Sequence, residues 1–463
     1  MFAPTKTAPE KNQRLTLSCA RLGSELEGVC SHEGMAVFVP GVLPGETAEV
    51  QIVKALPNYA FGRLVQVLEP SAQRAQPRCP VYDKCGGCSG QHMTYEATLE
   101  AKRLQVLDCL NRIVGLGLAT EQVPPVLGAA EPWHCRNKTA LPVGGSWREP
   151  ELGFYRRRSH QIISIENCPI SMTELSPIVG AVKTWMSRCR VQPYDEVTGK
   201  GLLRHVVIRS NRRGDVMVLL VAASDRLPEV SMLTELLQKA MLGFRALHLS
   251  VNRARNNVIL GSSSRKLWGA DTIEETLLGL TFEIAPLSFF QVNPDQCERL
   301  YECAIRLAAL RPEDIVVDAY AGAGTISLCM AGSAQKVIGI EIVPQAVEAA
   351  RRNAARNGIA NAEFHLGAVE DVLPKLVEQG LRPDVVLLDP PRKGVEQPVI
   401  DAVLRTRPRR VVYVSCHVPT QARDVKLLRE GGYRLEACQP VDMFCYAGGV
   451  ENVISMTLDE TQD

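Results

Sequence analysis

The chain has 463 residues, 46% of them hydrophobic and 22% charged, which is too long for one ordinary core and points to two or three globular domains. Lys+Arg 52 against Asp+Glu 51 leave a formal charge of +1, so bulk charge says nothing for a nucleic-acid partner. The 15 cysteines, an odd number, argue against a disulfide framework and for metal binding or catalysis.

The first residues, from Met1 on, are polar and proline-containing and read as a loose tail without the apolar core of a signal peptide. No stretch approaches a membrane span, Val216 to Ala223 being among the longest apolar runs. A cytoplasmic protein without membrane contact is expected. Short strands follow at Thr16 to Ala20, Ala36 to Val39, Thr47 to Val53 and Phe61 to Leu68, cut by Pro40-Gly41, Pro44-Gly45 and Pro57-Asn58. That pattern predicts a small β-barrel, with Glu69 to Pro77 as its linker. A cysteine segment comes next, then a helix over Tyr95 to Val114 with Leu99, Leu104, Leu107, Leu110 and Ile113 near helical spacing. The middle of the chain is mixed, with strands at Gln161 to Ile165, Leu203 to Arg209, Val216 to Val221 and Ala246 to Val251. From about residue 276 strand and helix alternate to nearly the end, the signature of a parallel sheet with crossover helices. The expected units are 1–70, 71–275 and 276–463, a multidomain α/β chain.

Cys79, Cys85 and Cys88 have C-x5-C-x2-C spacing, with a fourth possible ligand far off at Cys168. Gly86-Gly87 permit a tight wrap. Three clustered thiolates and one remote suit an iron–sulfur cluster. Zinc held by four cysteines is the runner-up, although paired knuckles are its usual form. Arg156-Arg157-Arg158, Arg212-Arg213, Arg253 with Arg255, and Arg405 to Arg410 are solvated faces by default, or a basic groove once folded.

In the last unit, Ile315 to Asp318 is a β-run that ends in an acid, and Ala319 to Gly324 is a small-residue turn opening a helix at Thr325. The next strand ends on Glu341, placed to accept from ribose hydroxyls. The third glycine of the dinucleotide pattern is missing, which favours a single nucleoside-like cofactor, with S-adenosylmethionine the obvious candidate. Val385 to Leu388 stops on Asp389-Pro390-Pro391-Arg392, and Val411 to Ser415 stops on Cys416. In an open α/β sheet ligands sit beyond the carboxyl ends of the strands. Both endings therefore aim at one pocket, and Cys416 is a nucleophile candidate there. The plain alternative is a small buried hydrophobe.

Several motifs together resemble those of the RNA (uracil-5)-methyltransferases, in particular the branch with an N-terminal TRAM domain that methylates 23S ribosomal RNA. They are the four cysteines, Ser288 to Asn293, the turn from Asp318 to Thr325, Glu341, Asp389 to Gly394, Val414-Ser415-Cys416 with Ala422-Arg423-Asp424, and Asp442-Met443-Phe444 leading to Val450 to Val453. The resemblance spans essentially the whole chain. It implies an OB-like TRAM barrel, a central α+β iron–sulfur domain and a Rossmann-like methyltransferase domain. By it, Cys79, Cys85, Cys88 and Cys168 bind a 4Fe–4S cluster, and Gln291, Tyr320, Thr325, Glu341 and Asp389 contact S-adenosylmethionine. Cys416 is then the nucleophile and Glu451 the base. Taken singly, Gln291 could cap the next helix, Tyr320 could be core, and Glu451 could face solvent from a strand.

The chain departs from the family where Ser-Cys-Asn-Pro reads Ser415-Cys416-His417-Val418, where Gly449 replaces a histidine, and at Ala368. His417 gains little from adjacency to Cys416 if both lie on a strand, because neighbours point opposite ways. The expected partner is RNA, 23S ribosomal RNA first and transfer RNA second, with no obligate protein partner evident. A catalytically weak RNA-binding iron–sulfur protein is the competing class. A radical methylthiotransferase is disfavoured by the cysteine spacing.

Overall fold

The computed structural model describes residues 8–459, so the expected tail falls largely outside the described residues. Strands β1 (Arg14–Leu22), β2 (Gly28–His32), β3 (Met35–Val39), β4 (Thr47–Ala55) and β5 (Tyr59–Glu69) close into a barrel in the order β1-β2-β3-β5-β4. Alternation fills it: Leu17, Cys19, Val37, Val39, Val50 and Ile52 point inward along their strands. Gly62 is required, since a Cβ there would lie 2.3 Å from Val50. The strand β2 escaped the sequence reading because Gly28-Val29-Cys30-Ser31-His32 carries little apolar signal. Glu46, wholly buried, accepts from Arg74 at 2.6 and 2.5 Å and from the Ser71 and Leu43 amides, so the linker is buckled onto the barrel.

Helix α1 (Tyr95–Cys109) starts at Thr94, whose hydroxyl accepts from the Ala97 amide, and passes into a π-helical turn, Leu110–Val114. Left-handed Gly115 ends it. The helix serves two cores. Ala97 packs with Leu26 and Leu43 of the barrel region, while Val106, Leu110 and Val114 pack on the C-terminal sheet.

The middle of the chain forms a seven-stranded mixed sheet. Its elements are β6 (Lys138–Gly145), β7 (Pro150–Tyr155), β8 (Ile162–Ser164), α2 (Ser176–Cys189), β9 (Leu203–Ser210), β10 (Val216–Ala222), α3 (Val230–Ala240), β11 (Phe244–Val251) and β12 (Ser264–Gly269). A hairpin, β13 (Ile273–Leu277) and β14 (Leu280–Ile284), packs into the core of the last unit, so the boundary expected after residue 275 falls inside β13.

The last unit contains α4 (Pro294–Ala308), β15 (Ile315–Asp318), α5 (Thr325–Ala331), β16 (Lys336–Glu341), α6 (Pro344–Arg356), β17 (Ala362–Leu366), α7 (Val369–Glu378), β18 (Val385–Leu388), α8 (Gln397–Thr406), β19 (Arg410–Ser415), α9 (Val418–Glu430), β20 (Tyr433–Val441) and β21 (Glu451–Leu458). Its sheet order is β17-β16-β15-β18-β19-β21-β20, with β21 antiparallel to both neighbours. The short central strands β15, β18 and β19 are almost wholly buried, as a sheet covered on both faces demands. Strand order reverses between β15 and β18, and that switch point opens a crevice at their carboxyl ends.

Several arginines of the clusters read as solvated faces, or as a basic groove, are used in ion pairs within the chain. Arg212 pairs with Glu275, Asp295 and Glu298, Arg213 with Asp215 and Glu274, and Arg409 with Asp314. Apart from Asp215, the acids come from segments distant in sequence, so those pairings were not readable locally.

Candidate active site

Asp318, Asp389 and Glu451 stand at the ends of β15 and β18 and the start of β21, round the switch point. Burial comes first in raising all three: Asp318 to about 6, Asp389 to about 7 and Glu451 to about 8. Asp318 adds to the rise at Asp389, and Asp389 adds to that at Glu451. The Ser327 hydroxyl donates to Asp318 and partly offsets its rise. Each of these carboxyls holds a proton more readily than an exposed one.

Cys416 follows β19 and is half-buried. Burial, then the charges of Glu451 and Asp389, push its thiol up to about 11, while the Arg392 guanidinium pulls the other way. It lines a pocket of about 400 Å³ with Arg392, His417, Phe444, Gly448 and Gly449. Ser24 and Glu25 of the barrel, with Gln105 and Cys109 of α1, line the far side. Nothing in the sequence signalled that the barrel reaches this thiol, because the contact joins residues nearly 400 positions apart.

The loop after β15 gives the crevice its floor. Gly322 and Gly324 have φ of 55° and 77°, and a Cβ on Gly324 would lie 2.9 Å from Phe364. Glu341 accepts from the Gly322 amide at 3.0 Å and the Val343 amide at 2.8 Å, which fixes the carboxylate against the turn. Thr325, at the start of α5, shares a 2.6 Å hydrogen bond with Tyr301. Tyr320 is half-buried, and burial raises its phenol. Ile342 and Leu366, at the ends of β16 and β17, are 63% and 53% exposed. These two apolar side chains beside Glu341 were not singled out in the sequence. Strand ends followed by an exposed aliphatic residue were the available signal.

Gln291 is buried, and the cap of α4 is Asn293, whose side chain accepts from the Gln296 amide. Gln291 is therefore not the capping residue. Glu451 is buried rather than solvent-facing. Ala368 sits at the start of α7 and makes no side-chain cap.

The segment between β20 and β21 is held from three sides. Lys102 of α1, fully buried, pairs with the fully buried Asp442 and donates to the Phe444 carbonyl at 2.9 Å. Tyr95 donates to Asp442 at 2.5 Å. Tyr446 stacks on Trp133 with centroids 4.3 Å apart, and its carbonyl accepts from the Ser89 and Gly90 amides. A lysine inside a helix reads as solvated, so this buried pair was missed.

Cys79, Cys85, Cys88 and Cys168 line a second cavity, of about 450 Å³, with Arg136 and Lys138 in its wall and no carboxylate. Burial first, then neighbouring thiols among the four, raises Cys85, Cys88 and Cys168, Cys88 to about 12. Gly86 donates to the Tyr155 carbonyl, and Arg157 to that of Cys88, so the segment is wrapped onto β7 and the turn after it. Among the described residues, no group of three or more His, Cys, Asp or Glu side chains is arranged to hold a metal ion. The four cysteines line this one cavity together.

The family model described as tRNA (Uracil-5-)-methyltransferase matches residues 248–458, and the TRAM domain matches 10–65. An uncharacterized RNA methyltransferase of Clostridium acetobutylicum is 39% identical over 96% of this chain and 97% of its own length. Another, of Oceanobacillus iheyensis, is 41% identical over 99% of each chain. The Pyrococcus abyssi tRNA (uracil-54, C5)-methyltransferase in complex with S-adenosyl-L-homocysteine superposes with a TM-score of 0.76 at 26% identity, covering 96% of this chain and 100% of that one. The barrel is a TRAM domain, and the last unit has the S-adenosylmethionine-dependent methyltransferase fold. The chain belongs to the RNA (uracil-5)-methyltransferase family and is an S-adenosylmethionine-dependent enzyme acting on RNA. Among the described residues, no helix is long and apolar enough to cross a membrane.

Proposed function

We propose that the enzyme methylates C5 of a uridine in 23S ribosomal RNA through a covalent bond between Cys416 and C6. The observation that carries this reading is the shared field of three strand-end groups. Glu451 and Asp389 both act on the Cys416 thiol, and Asp389 acts on Glu451, in one crevice.

Uracil C5 is too weak a nucleophile to take a methyl unaided. S-adenosylmethionine, when bound, supplies an electrophilic methyl on a sulfonium. Gln291, Tyr320, Thr325, Glu341 and Asp389 would hold it, with Glu341 serving the ribose and Ile342 and Leu366 the base. The turn fits such a group, since a Cβ on Gly322 would meet nothing within 4 Å and the carboxyl row favours positive charge. The Cys416 thiol first gives up its proton to solvent, a loss that Arg392 favours and burial with the two carboxyls opposes; the thiolate then adds at C6 and places negative charge on C5 and O4. After C5 takes the methyl, Glu451 removes the remaining C5 proton, and the Cys416 sulfur leaves. The base must be unstacked to reach the thiol, and the barrel side of the pocket receives the RNA around it.

Cys79, Cys85, Cys88 and Cys168 are the residues that hold a 4Fe–4S cluster in this reading. Their all-thiol donor set, the shared cavity and the cations Arg136 and Lys138 in its wall support it. Such a cluster would tie the 79–88 segment to the Cys168 loop, as a structural brace.

Transfer RNA is the second reading, favoured by the activity of the Pyrococcus abyssi protein, a tRNA (uracil-54, C5)-methyltransferase. The test is mass-spectrometric mapping of 5-methyluridine in ribosomal and transfer RNA from cells with and without the gene. Loss at a 23S site, restored by wild type but not by Cys416→Ala, is the expected result. Loss confined to transfer RNA overturns the substrate and keeps the chemistry.

A further inference from the structure

His417 directly follows Cys416, lines the same pocket and is half-buried. It lies past the end of β19, at the residue before α9, with φ −133° and ψ 86°. The strand alternation that would have turned it away from the pocket therefore does not apply. Its amide is fixed by the Ser415 hydroxyl at 3.0 Å.

Its ring is also fixed. Nδ1 lies 3.0 Å from the Thr420 hydroxyl, which is itself 2.9 Å from the His417 carbonyl and 3.1 Å from the Arg392 carbonyl. Carbonyls only accept, and the hydroxyl has one proton to share between two of them. The hydroxyl oxygen is left to accept from the ring, so Nδ1 carries the imidazole proton. Burial and the Arg392 charge hold the ring below its ordinary value, which keeps it neutral. In that tautomer Nε2 presents a bare lone pair. Nε2 has no hydrogen-bond partner among the described residues. Among the described residues no hydrogen bond joins the His417 ring to the Cys416 thiol, so the lone pair is not spent there.

Nε2 is not among the buried polar atoms left without a partner, so water serves it in the open pocket, and a ligand that displaces this water must supply a donor in its place. Uracil has one ring donor, N3–H, on the edge away from C5 and C6. Cytosine presents a lone pair at the same atom.

We propose that His417 is a specificity-determining residue whose Nε2 accepts N3–H of the target uracil and so rejects cytosine. Thr420 is its positioning residue, since it sets the tautomer. This inference rests on the reading of the Cys416 pocket as the seat of the target base.

The test uses the full chain with S-adenosylmethionine and RNA carrying the mapped site as 5-fluorouridine, 5-fluorocytidine or an abasic residue. Wild type traps 5-fluorouridine covalently and strongly prefers it. His417→Ala slows that trapping roughly 10- to 100-fold, the cost of one buried hydrogen bond, while 5-fluorocytidine trapping does not fall and abasic RNA binds as before. Thr420→Val shifts the preference in the same direction by a smaller factor. Equal losses on both bases, or weaker binding of abasic RNA, would show a structural role and overturn the proposal. Dependence on His417 that vanishes when the target carries 2′-deoxyribose would assign the lone pair to the ribose hydroxyl and overturn it too. If wild type traps neither base, the covalent reading itself falls and takes this inference with it. Trapping by wild type with base preference unchanged in His417→Ala defeats the inference alone.

Discussion

The molecule has two thiol-lined cavities with opposite electrostatic company. At Cys416, one thiol faces Glu451 and Asp389, with a single arginine against them. Around Cys79, Cys85, Cys88 and Cys168, the thiols face each other, with Arg136 and Lys138 in the wall and no carboxylate. A carboxylate beside a thiol can later take a proton from the same ligand. The ring of thiols among cations has no such acid–base partner in its wall. The difference teaches that cysteine's role here is set by its neighbours and not by its own burial, which is intermediate at all five positions.

The sharpest way to break the contrast is at Glu451. Glu451→Gln leaves the nucleophile but removes the proton acceptor, so a methylated RNA–protein adduct should accumulate on denaturing gels and turnover should fall roughly 10²–10⁴-fold. Ready turnover without adduct would move the base elsewhere. A smaller effect is expected in the other cavity. Cys85→Ser should abolish the visible absorbance and iron content of protein purified without oxygen and lower its melting temperature, whereas Cys416→Ala should change neither. Iron-free wild-type protein, purified under the same conditions, would remove the cluster from the proposal.

The smallest effect concerns stability and pH. Glu451 titrates near 8 in the folded chain against an ordinary 4.5. Between those values the native state holds a proton that the unfolded state has lost, so its contribution is present below pH 4.5 and is lost as pH rises through 8. Glu451→Gln should therefore flatten the decline in melting temperature over that window, measured by calorimetry. An unchanged slope would mean that the carboxyl is ionised throughout.

The sequence made the last unit legible because each strand there is a short β-branched run with a chemical residue at its end. Asp318, Glu341, Asp389 and Cys416 all stand at or just past strand ends, as the runs required. The helix from Tyr95 was legible too, but not its π-helical end. What stayed hidden depended on contacts across the chain. Lys102 reads as a solvated helix residue until Asp442 is packed against it, and Arg212 reads as a basic patch until Glu275 and Glu298 arrive. The strand rule applied to His417 failed for a local reason, since β19 stops at Ser415.

Gly448 carries a consequence for how such a protein can change over time. A Cβ at that position would stand 2.4 Å from the Ser24 carbonyl of the barrel, so the segment leading into Glu451 has been shaped to the barrel's backbone. Neighbouring Tyr446 is shaped equally to Trp133, and Phe444 to Lys102. A barrel exchanged for a homologue's would have to reproduce the main-chain path at Ser24, or the floor of the methylation pocket would be displaced. The barrel and the C-terminal sheet are thus fitted to one another at this seam, and a C-terminal half alone would keep Cys416 and Glu451 while lacking one wall of the pocket beside them.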